Sequence, residues 1–438
     1  MNNRGEHTAR PGRTFLFLQG LASPFFRRLG RTLVRKGYGV ERINLNLGDR
    51  LFWSVPGACD YRGRYEDWRG YLSRFMDERG VTDLVLFGDG RPYHRVAIAT
   101  AQLRGVAVHV FEEGYIRPDW ITMEPGGVNG FSSLPRDPDS VRALAAAAPE
   151  AQVPAHIRGD MRTRTLWDVV YNSANTFFPY LYPGYRRYRP HHPYVEYAGW
   201  LGRIVRGKAE ARRASATQAD LTRDGAPYFV LPLQLDSDYQ IRIHSPFSAM
   251  TEVVNLVARS FAAHAPAEAR LVVKLHPLDN GLVNRRRVTA QTAKRTGLGD
   301  RLLFIDGGDM PKLLEGARGV VVVNSTVGTQ SIDMGRPTIA LGQAIYDMPG
   351  LTHQGSLESF WSAPEAPDPD FARDFRKVVI AKTQLNGGFY SRESVEIAVA
   401  NVIARLQELA PLSTRRAVAL QWATPLADEA APAPAPGE

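Results

Sequence analysis

The chain has 438 residues, a formal net charge of +9 and one cysteine. That length suits two or three domains with sizeable cores. A lone cysteine excludes an internal disulfide framework and a Cys-rich zinc site, and no apolar run approaches the roughly eighteen residues of a membrane-spanning helix.

The positive charge fits an anionic partner, whether nucleotide, phosphorylated substrate, anionic lipid or nucleic acid. It fits an Arg-rich proteome equally well. Residues 1–12 are polar, lack the apolar segment of a signal peptide and are expected to be disordered. With the single cysteine, this predicts a reducing, cytoplasmic location.

TFLFLQG (14–20) reads as a buried strand. Ser23 and Pro24 then open a helix whose stripe is Phe25, Phe26, Leu29, Leu33 and Val34. YGVERINLN is a second strand, which gives a Rossmann-type opening without the GxGxxG fingerprint. GDRLFWSVPG (48–57) reads as a loop with exposed aromatics, and residues 61–80 as a helix. VTDLVLFGDG (81–90) is a strand tipped by Gly88, Asp89 and Gly90. RPYHRVAIATAQLRG is a helix, and VAVHVFEEGYIRPDW (106–120) a strand running into Glu112, Glu113 and Gly114. Residues 13–135 are therefore expected to form an N-terminal Rossmann-like domain.

Residues 136–225 break this rhythm. Aromatics interleave with Arg and His, and the segment reads as a helical connection. It suits an interdomain helical bundle, a surface for anionic lipid, since Trp and Tyr with Arg suit the headgroup zone, or base stacking on nucleic acid. Residues 226–410 return to α/β order as a second Rossmann-like domain, and the Pro/Ala-rich tail 411–438 is expected to be disordered.

The second domain opens with strand PYFVLPLQL, an amphipathic helix and strand RLVVKLHPL. In open α/β sheets ligands bind beyond the carboxyl ends of strands. The polar residues there, Gln234, Asp236, Asp238 and Gln240 after one strand and Lys274, His276 and Pro277 after the other, should therefore converge. Four motifs carry chemistry. Adjacent Glu112 and Glu113 repel, so one with a raised pKa suits acid–base work. Successive strand residues point oppositely, so one of the two is expected to face the site, unless both are a surface turn. His276 before Pro277 can donate to a phosphate, or be a capped core histidine. Asn324-Ser325-Thr326-Val327-Gly328 after VVVV makes a phosphate cradle or a plain helix cap. Asp236 and Asp238 are candidates for a nucleophile, and an Asp-x-Asp pair alone is weak evidence for a metal.

The order of these motifs, an acidic pair, then His-Pro, then Ser-Thr, resembles the bacterial CMP-sugar transferases of GT-B architecture. FLFLQGLASPFFRRLG, INLNLGDRLFW, FEEGYIRPDWIT, LPLQLDSDYQIRIHSPF, VKLHPLDNG and VVVNSTVGTQSI together resemble the capsule polysaccharide biosynthesis proteins of the KpsS type, from about residue 14 to about residue 345. The resemblance implies an α/β GT-B fold, two Rossmann-like domains facing across a cleft. It implies a retaining transferase that moves β-Kdo from CMP-Kdo to a phosphatidylglycerol-type lipid on the inner face of the cytoplasmic membrane. A KpsC-type enzyme then extends the linker before polymer attachment and export. By motif, Asp238 is the nucleophile, with Asp236 the open alternative, Glu113 the acid/base, and His276 the contact to the CMP phosphate. Ser325 and Thr326 would hold that phosphate or the ribose. Glu112, Gln234, Asp236, Gln240, Lys274, Pro277, Asn324, Gly328, Gln19 and Gly20 are further substrate contacts, and Arg117, Arg242 and Lys274 are partners for the sugar carboxylate or phosphate. No metal, cofactor or nucleic acid is expected. A transferase for another nucleotide sugar, or a non-catalytic export scaffold, is the alternative.

Overall fold

The computed structural model describes residues 12–150, 153–157, 159–187 and 191–409. Of the two terminal segments expected to be disordered, 1–12 and 411–438, all but Gly12 lie outside the described residues. Six strands come early: β1 (Thr14–Phe17), β2 (Gly39–Asn44), β3 (Ala58–Asp60), β4 (Asp83–Phe87), β5 (Ala107–Glu113) and β6 (Trp120–Pro125). Five more follow the helical connection: β7 (Tyr228–Pro232), β8 (Arg270–Lys274), β9 (Leu302–Ile305), β10 (Gly319–Val322) and β11 (Thr338–Ala340). The last, β12 (Gln384–Asn386), lies near the end.

These strands make two sheets, ordered β12-β6-β5-β4-β1-β2-β3 and β11-β10-β7-β8-β9. The second is parallel throughout, and so is β5-β4-β1-β2-β3 of the first. Both have helices on their faces, so the central strands bury both sides. That is why β7 and, after Asp83, β4 read as apolar runs with every residue buried. Strand order reverses between β1 and β4 and between β7 and β10, and such reversals open the ligand crevices of doubly wound sheets. Two Rossmann-like domains meeting across a cleft form the GT-B architecture that the sequence predicts.

The opening helix, Phe25–Arg35, buries Phe25, Phe26, Leu29 and Leu33 as its spacing requires. The N-cap is Pro24 rather than the expected Ser23, which lies one residue ahead of it and accepts a hydrogen bond from the Phe25 amide at 3.1 Å. Asp309 caps the short helix Met310–Glu315 through the Lys312 amide, with Pro311 in its first turn.

Four features depart from the sequence reading. Residues 106–120 are not one strand: β5 stops at Glu113, and the chain returns antiparallel as β6. Gly114 makes that turn, where a Cβ would strike the Trp120 and Ile116 carbonyls. The loop 48–57 contains the short helix Leu47–Leu51, and Trp53 is buried rather than exposed, against Phe17 at 5.1 Å. A polar helix, Arg285–Thr296, follows β8 where no amphipathic pattern announces it. Finally, the second domain does not run to residue 410. β12 pairs antiparallel with β6, and the closing helix Arg392–Glu408 buries Val395, Val402 and Ile403 in the core of the first domain. An apolar helix stripe cannot tell which of two sheets it will cover.

The connection is helical, as predicted, but its helices serve different domains. Pro138–Ala147 packs Val141 and Ala145 into the second-domain core. Met161–Phe177 sits on the first domain, where Tyr171 donates to Asp49 at 3.0 Å and accepts from Gln19 at 2.7 Å and Asn46 at 2.9 Å. The 32-residue helix Pro193–Asp224 ends at Gly225 in the left-handed conformation (φ 63°) and runs beside the second sheet.

Candidate active site

On the first domain, the cleft begins where β5 ends. Glu112 is half-buried, and one of its oxygens accepts from the Glu113 amide at 3.1 Å. Its neighbours are carboxylates: Asp89, which accepts from the Val128 amide at 2.8 Å, and Asp238 from the opposite domain. Burial, then repulsion from Asp238, Glu113 and Asp89, pushes the Glu112 carboxyl up to about 8 against the bond from Glu113. It therefore holds a proton at neutral pH. Glu113 points elsewhere, to the Arg164 guanidinium at 3.4 Å, which lies over the Tyr390 ring at 5.1 Å. Behind Glu112, burial raises Glu124 to about 7, opposed by bonds from Ser132 and from the Tyr115 hydroxyl at 2.6 Å.

On the second domain, Asp236 and Asp238 have different surroundings. Asp236 accepts from the Met250 amide at 2.8 Å, at the start of helix Met250–His264. Its other oxygen pairs with Arg285, a side chain only 3% exposed. Asp236 is thus committed to holding its own domain together. Asp238 starts the segment that docks on the first domain: Tyr239 packs on Gly90, and the helix Tyr239–His244 ends at His244. His244 is fully buried, edge-on to Phe131 at 4.6 Å and 3.8 Å from the nearer Asp89 oxygen. Neither ring nitrogen has a hydrogen-bond partner among the described residues.

His276, beyond β8, sits in a cationic environment. Burial, then the charges of Arg117, Arg203, Arg164 and Lys274, lowers its pKa to about 4. The ring is therefore neutral at neutral pH. Its Nδ1 accepts from the Leu278 amide at 3.0 Å, which puts the proton on Nε2. A neutral donor surrounded by fixed cations suits an anion. Ser325 caps helix Thr326–Asp333 through the Val327 amide at 3.2 Å, at the end of β10. Since β7 lies between β8 and β10, His276 and Ser325 flank the same strand end. Gly328 is obligatory there, because a Cβ would strike the Tyr346 hydroxyl.

The remaining predicted contacts divide into two groups. Gln234 and Asn324 bond to each other at 2.9 Å across the second-domain crevice, so they fix its shape. Gln19 is buried beneath the connection, where it donates to Tyr171, and Gly20 presents its carbonyl to Arg91 at 3.0 Å. These two hold the scaffold rather than line the cleft. Lys274 is 3% exposed and donates to the Gly307 carbonyl, and burial lowers its pKa. The Pro277 carbonyl accepts from Arg203 at 2.8 Å. Arg242 and Arg117 are exposed, Arg242 lying over the Tyr239 ring at 5.7 Å. The Gln240 side chain lies outside the described residues. The motifs did not single out Asp89, Arg164 or His244 as site residues. Asp89 stood at a recognised strand tip, and His244 ends the segment that Asp238 begins. Among the described residues, no group of three or more His, Cys, Asp or Glu is arranged to hold a metal ion.

Residues 82–390 match the family model described as capsule polysaccharide biosynthesis protein. The chain is 33% identical to the capsule polysaccharide export protein KpsS of Escherichia coli, covering 86% of this chain and 97% of that protein. It is 30% identical to the capsule polysaccharide modification protein LipB of Neisseria meningitidis serogroup B, covering 90% and 95%. Among solved structures, the β-Kdo 2,7 transferase KpsC of Thermosulfurimonas dismutans aligns over 90% of this chain and all of that one, at 14% identity and a TM-score of 0.43.

Proposed function

Because this chain belongs to the family of capsule polysaccharide biosynthesis proteins, we propose that it is a retaining glycosyltransferase. It moves β-Kdo from CMP-Kdo to a phosphatidylglycerol-type lipid and so places the first sugar of a capsule linker. The observation that carries this reading is that Asp238, from the second domain, lies near enough to Glu112, on the first, for its charge to help raise that carboxyl to about 8, on the same cleft as the neutral His276 donor. The donor and acceptor are inferred from the motif resemblance.

In the first step an Asp238 oxygen bonds to the anomeric carbon as the bond to the CMP phosphate breaks. The electron pair leaves on the phosphate, and Glu112 supplies its proton. His276 Nε2–H donates to the departing phosphate, with the Ser325–Thr326 helix start behind it. Arg117 offsets the charge of the phosphate and of the sugar carboxylate. Once Asp238 is esterified, its charge is gone, and the repulsion that raised the Glu112 pKa weakens. Glu112 is then a carboxylate, ready to accept the proton of the attacking lipid hydroxyl in the second step. Asp238 is released and Glu112 regains its proton. The acid–base role that the motif resemblance gives to Glu113 thus belongs to Glu112, and Glu113 orients Arg164. No cofactor or metal takes part. The enzyme works peripherally at the cytoplasmic membrane, and a KpsC-type transferase and the export machinery take its product.

The test is incubation of the full chain with CMP-Kdo, generated in situ, and a fluorescent lyso-phosphatidylglycerol. A product one Kdo heavier is expected by mass spectrometry, with at least a thousandfold loss in Asp238→Ala. Transfer from CMP-sialic acid but not CMP-Kdo would overturn the donor. A sugar adduct trapped on Asp236 would overturn the nucleophile.

A further inference from the structure

The connecting helices present an apolar surface that no part of the described protein covers. On Met161–Phe177, the exposed large residues Leu166, Val169, Val170 and Phe177 recur at helical spacing. On the first half of Pro193–Asp224, Tyr194, Leu201, Ile204 and Val205 do the same, with Ile204 at 70% and Val205 at 78% exposed. A helix normally buries such a stripe against its domain. Here the stripes face outward, and most of the exposed large hydrophobics of the described chain lie between residues 161 and 205. A concentration of this kind marks an interaction surface.

Charge identifies the partner. Residues 161–213 hold ten Lys and Arg against three Asp and Glu, in a protein whose whole net charge is +9. Tyr180 is exposed beside the stripes and Tyr194 within one, and tyrosines sit at the headgroup level of a bilayer. No described helix is long and apolar enough to cross a membrane. Outward apolar stripes, flanking aromatics and surrounding cations are the make-up of a segment that lies in the plane of an anionic bilayer. A partner protein would find the apolar area suitable, but would not require this charge.

The same helix reaches the cleft. Arg164 sits one turn from its N-terminus, 3.4 Å from Glu113, and its charge acts on His276. We propose that Met161–Phe177 and the first half of Pro193–Asp224 seat the protein on an anionic phospholipid surface, and that Arg164 positions the phosphate of a lipid headgroup at the cleft. The Arg164 role rests on the lipid-acceptor reading above; the docking face does not.

The test uses the full chain in flotation with phosphatidylcholine vesicles, with and without 30 mol% phosphatidylglycerol as about one lipid in three. Binding is expected only with the anionic lipid, and to weaken as salt rises. Replacing Leu201, Ile204 and Val205 by Glu should cut binding at least tenfold. These side chains are already in solvent, so melting temperature should hold, and a second variant, Val169→Glu with Val170→Glu, should behave alike. Both should keep activity on a micelle-free short-chain acceptor while losing it on vesicle-embedded acceptor. Arg164→Gln should leave vesicle binding unchanged and raise KM for the lipid acceptor more than it lowers kcat. No vesicle binding, or equal binding to neutral vesicles, overturns the docking face. So does a wild-type dimer in sedimentation that the triple variant dissociates while vesicle binding is absent. Vesicle binding without sugar transfer would leave the docking face standing and sink the transferase reading.

Discussion

The two lips of the cleft hold their titrating groups in surroundings of opposite charge. On the first domain, burial with repulsion from Asp89 raises both Glu112, to about 8, and Glu124, to about 7, so that Glu112 keeps its proton. On the second, His276 sits beside Lys274 and Arg203, with Arg117 and Arg164 reaching it from the first domain, and burial with those cations keeps a proton off it. Both groups are therefore neutral near pH 7, for opposite reasons. Each lip thus holds its group in the protonation state that the proposed transfer needs. The acidic lip stores a proton to give, and the cationic lip leaves a donor that an anion can approach without expelling a proton.

Replacing Glu112 by Gln breaks the contrast most directly. Transfer should fall by about 10²–10⁴, the range for losing a positioned acid or base. Stability should move the other way. The native pKa, about 8, lies above the ordinary carboxyl value of 4.5. The folded state then binds more protons than the unfolded one between those limits, so Glu112 makes the protein less stable as pH rises through that window. At pH 8.5 the Gln variant should melt higher by roughly 2–4 °C, the response to about 1 kcal/mol in a domain of this size, by differential scanning fluorimetry. Glu113→Gln should not reproduce that rise.

His276→Ala should cost about 10²–10³ in kcat, as for removal of one aimed donor. In wild type the rate should be flat from pH 5.5 to 7.5 as read by product mass, and decline above about pH 8 as Glu112 loses its proton. His276, titrating near 4, should add no limb in that range.

The smallest catalytic change concerns Asp236. Asp236→Ala should destabilise by about 3 kcal/mol in urea unfolding, the low end for breaking a buried ion pair, because Asp236 itself is a third exposed. At temperatures where it stays folded, its turnover should remain near wild type. Loss of turnover without loss of stability would transfer the nucleophile role back to Asp236.

Much of this arrangement was legible in the residues. Pro227–Pro277 read as strand, helix, strand with polar ends, and β7, helix Met250–His264 and β8 form it. Glu112, Asp238, His276 and Ser325 all fall at strand ends, because apolar runs end where the sheet does. Period and composition specify such elements locally. They also distinguish one member of the acidic pair from the other, since strand neighbours point oppositely, but not which member faces the cleft.

Tertiary structure made the remaining choices, because they depend on what arrives from far along the chain. Arg164 takes Glu113 and leaves Glu112 for Asp238; Arg285 takes Asp236 and leaves Asp238 for the cleft. Each partner lies roughly fifty residues away or comes from the other domain, so no local pattern names it. The closing helix shows the same limit, since its apolar stripe suited either sheet and only packing sent it to the first. The sequence by itself determined most of the elements, their order and the chemical groups at their ends. Pairing of charges across long separations decided which of those groups bind the scaffold and which face the cleft.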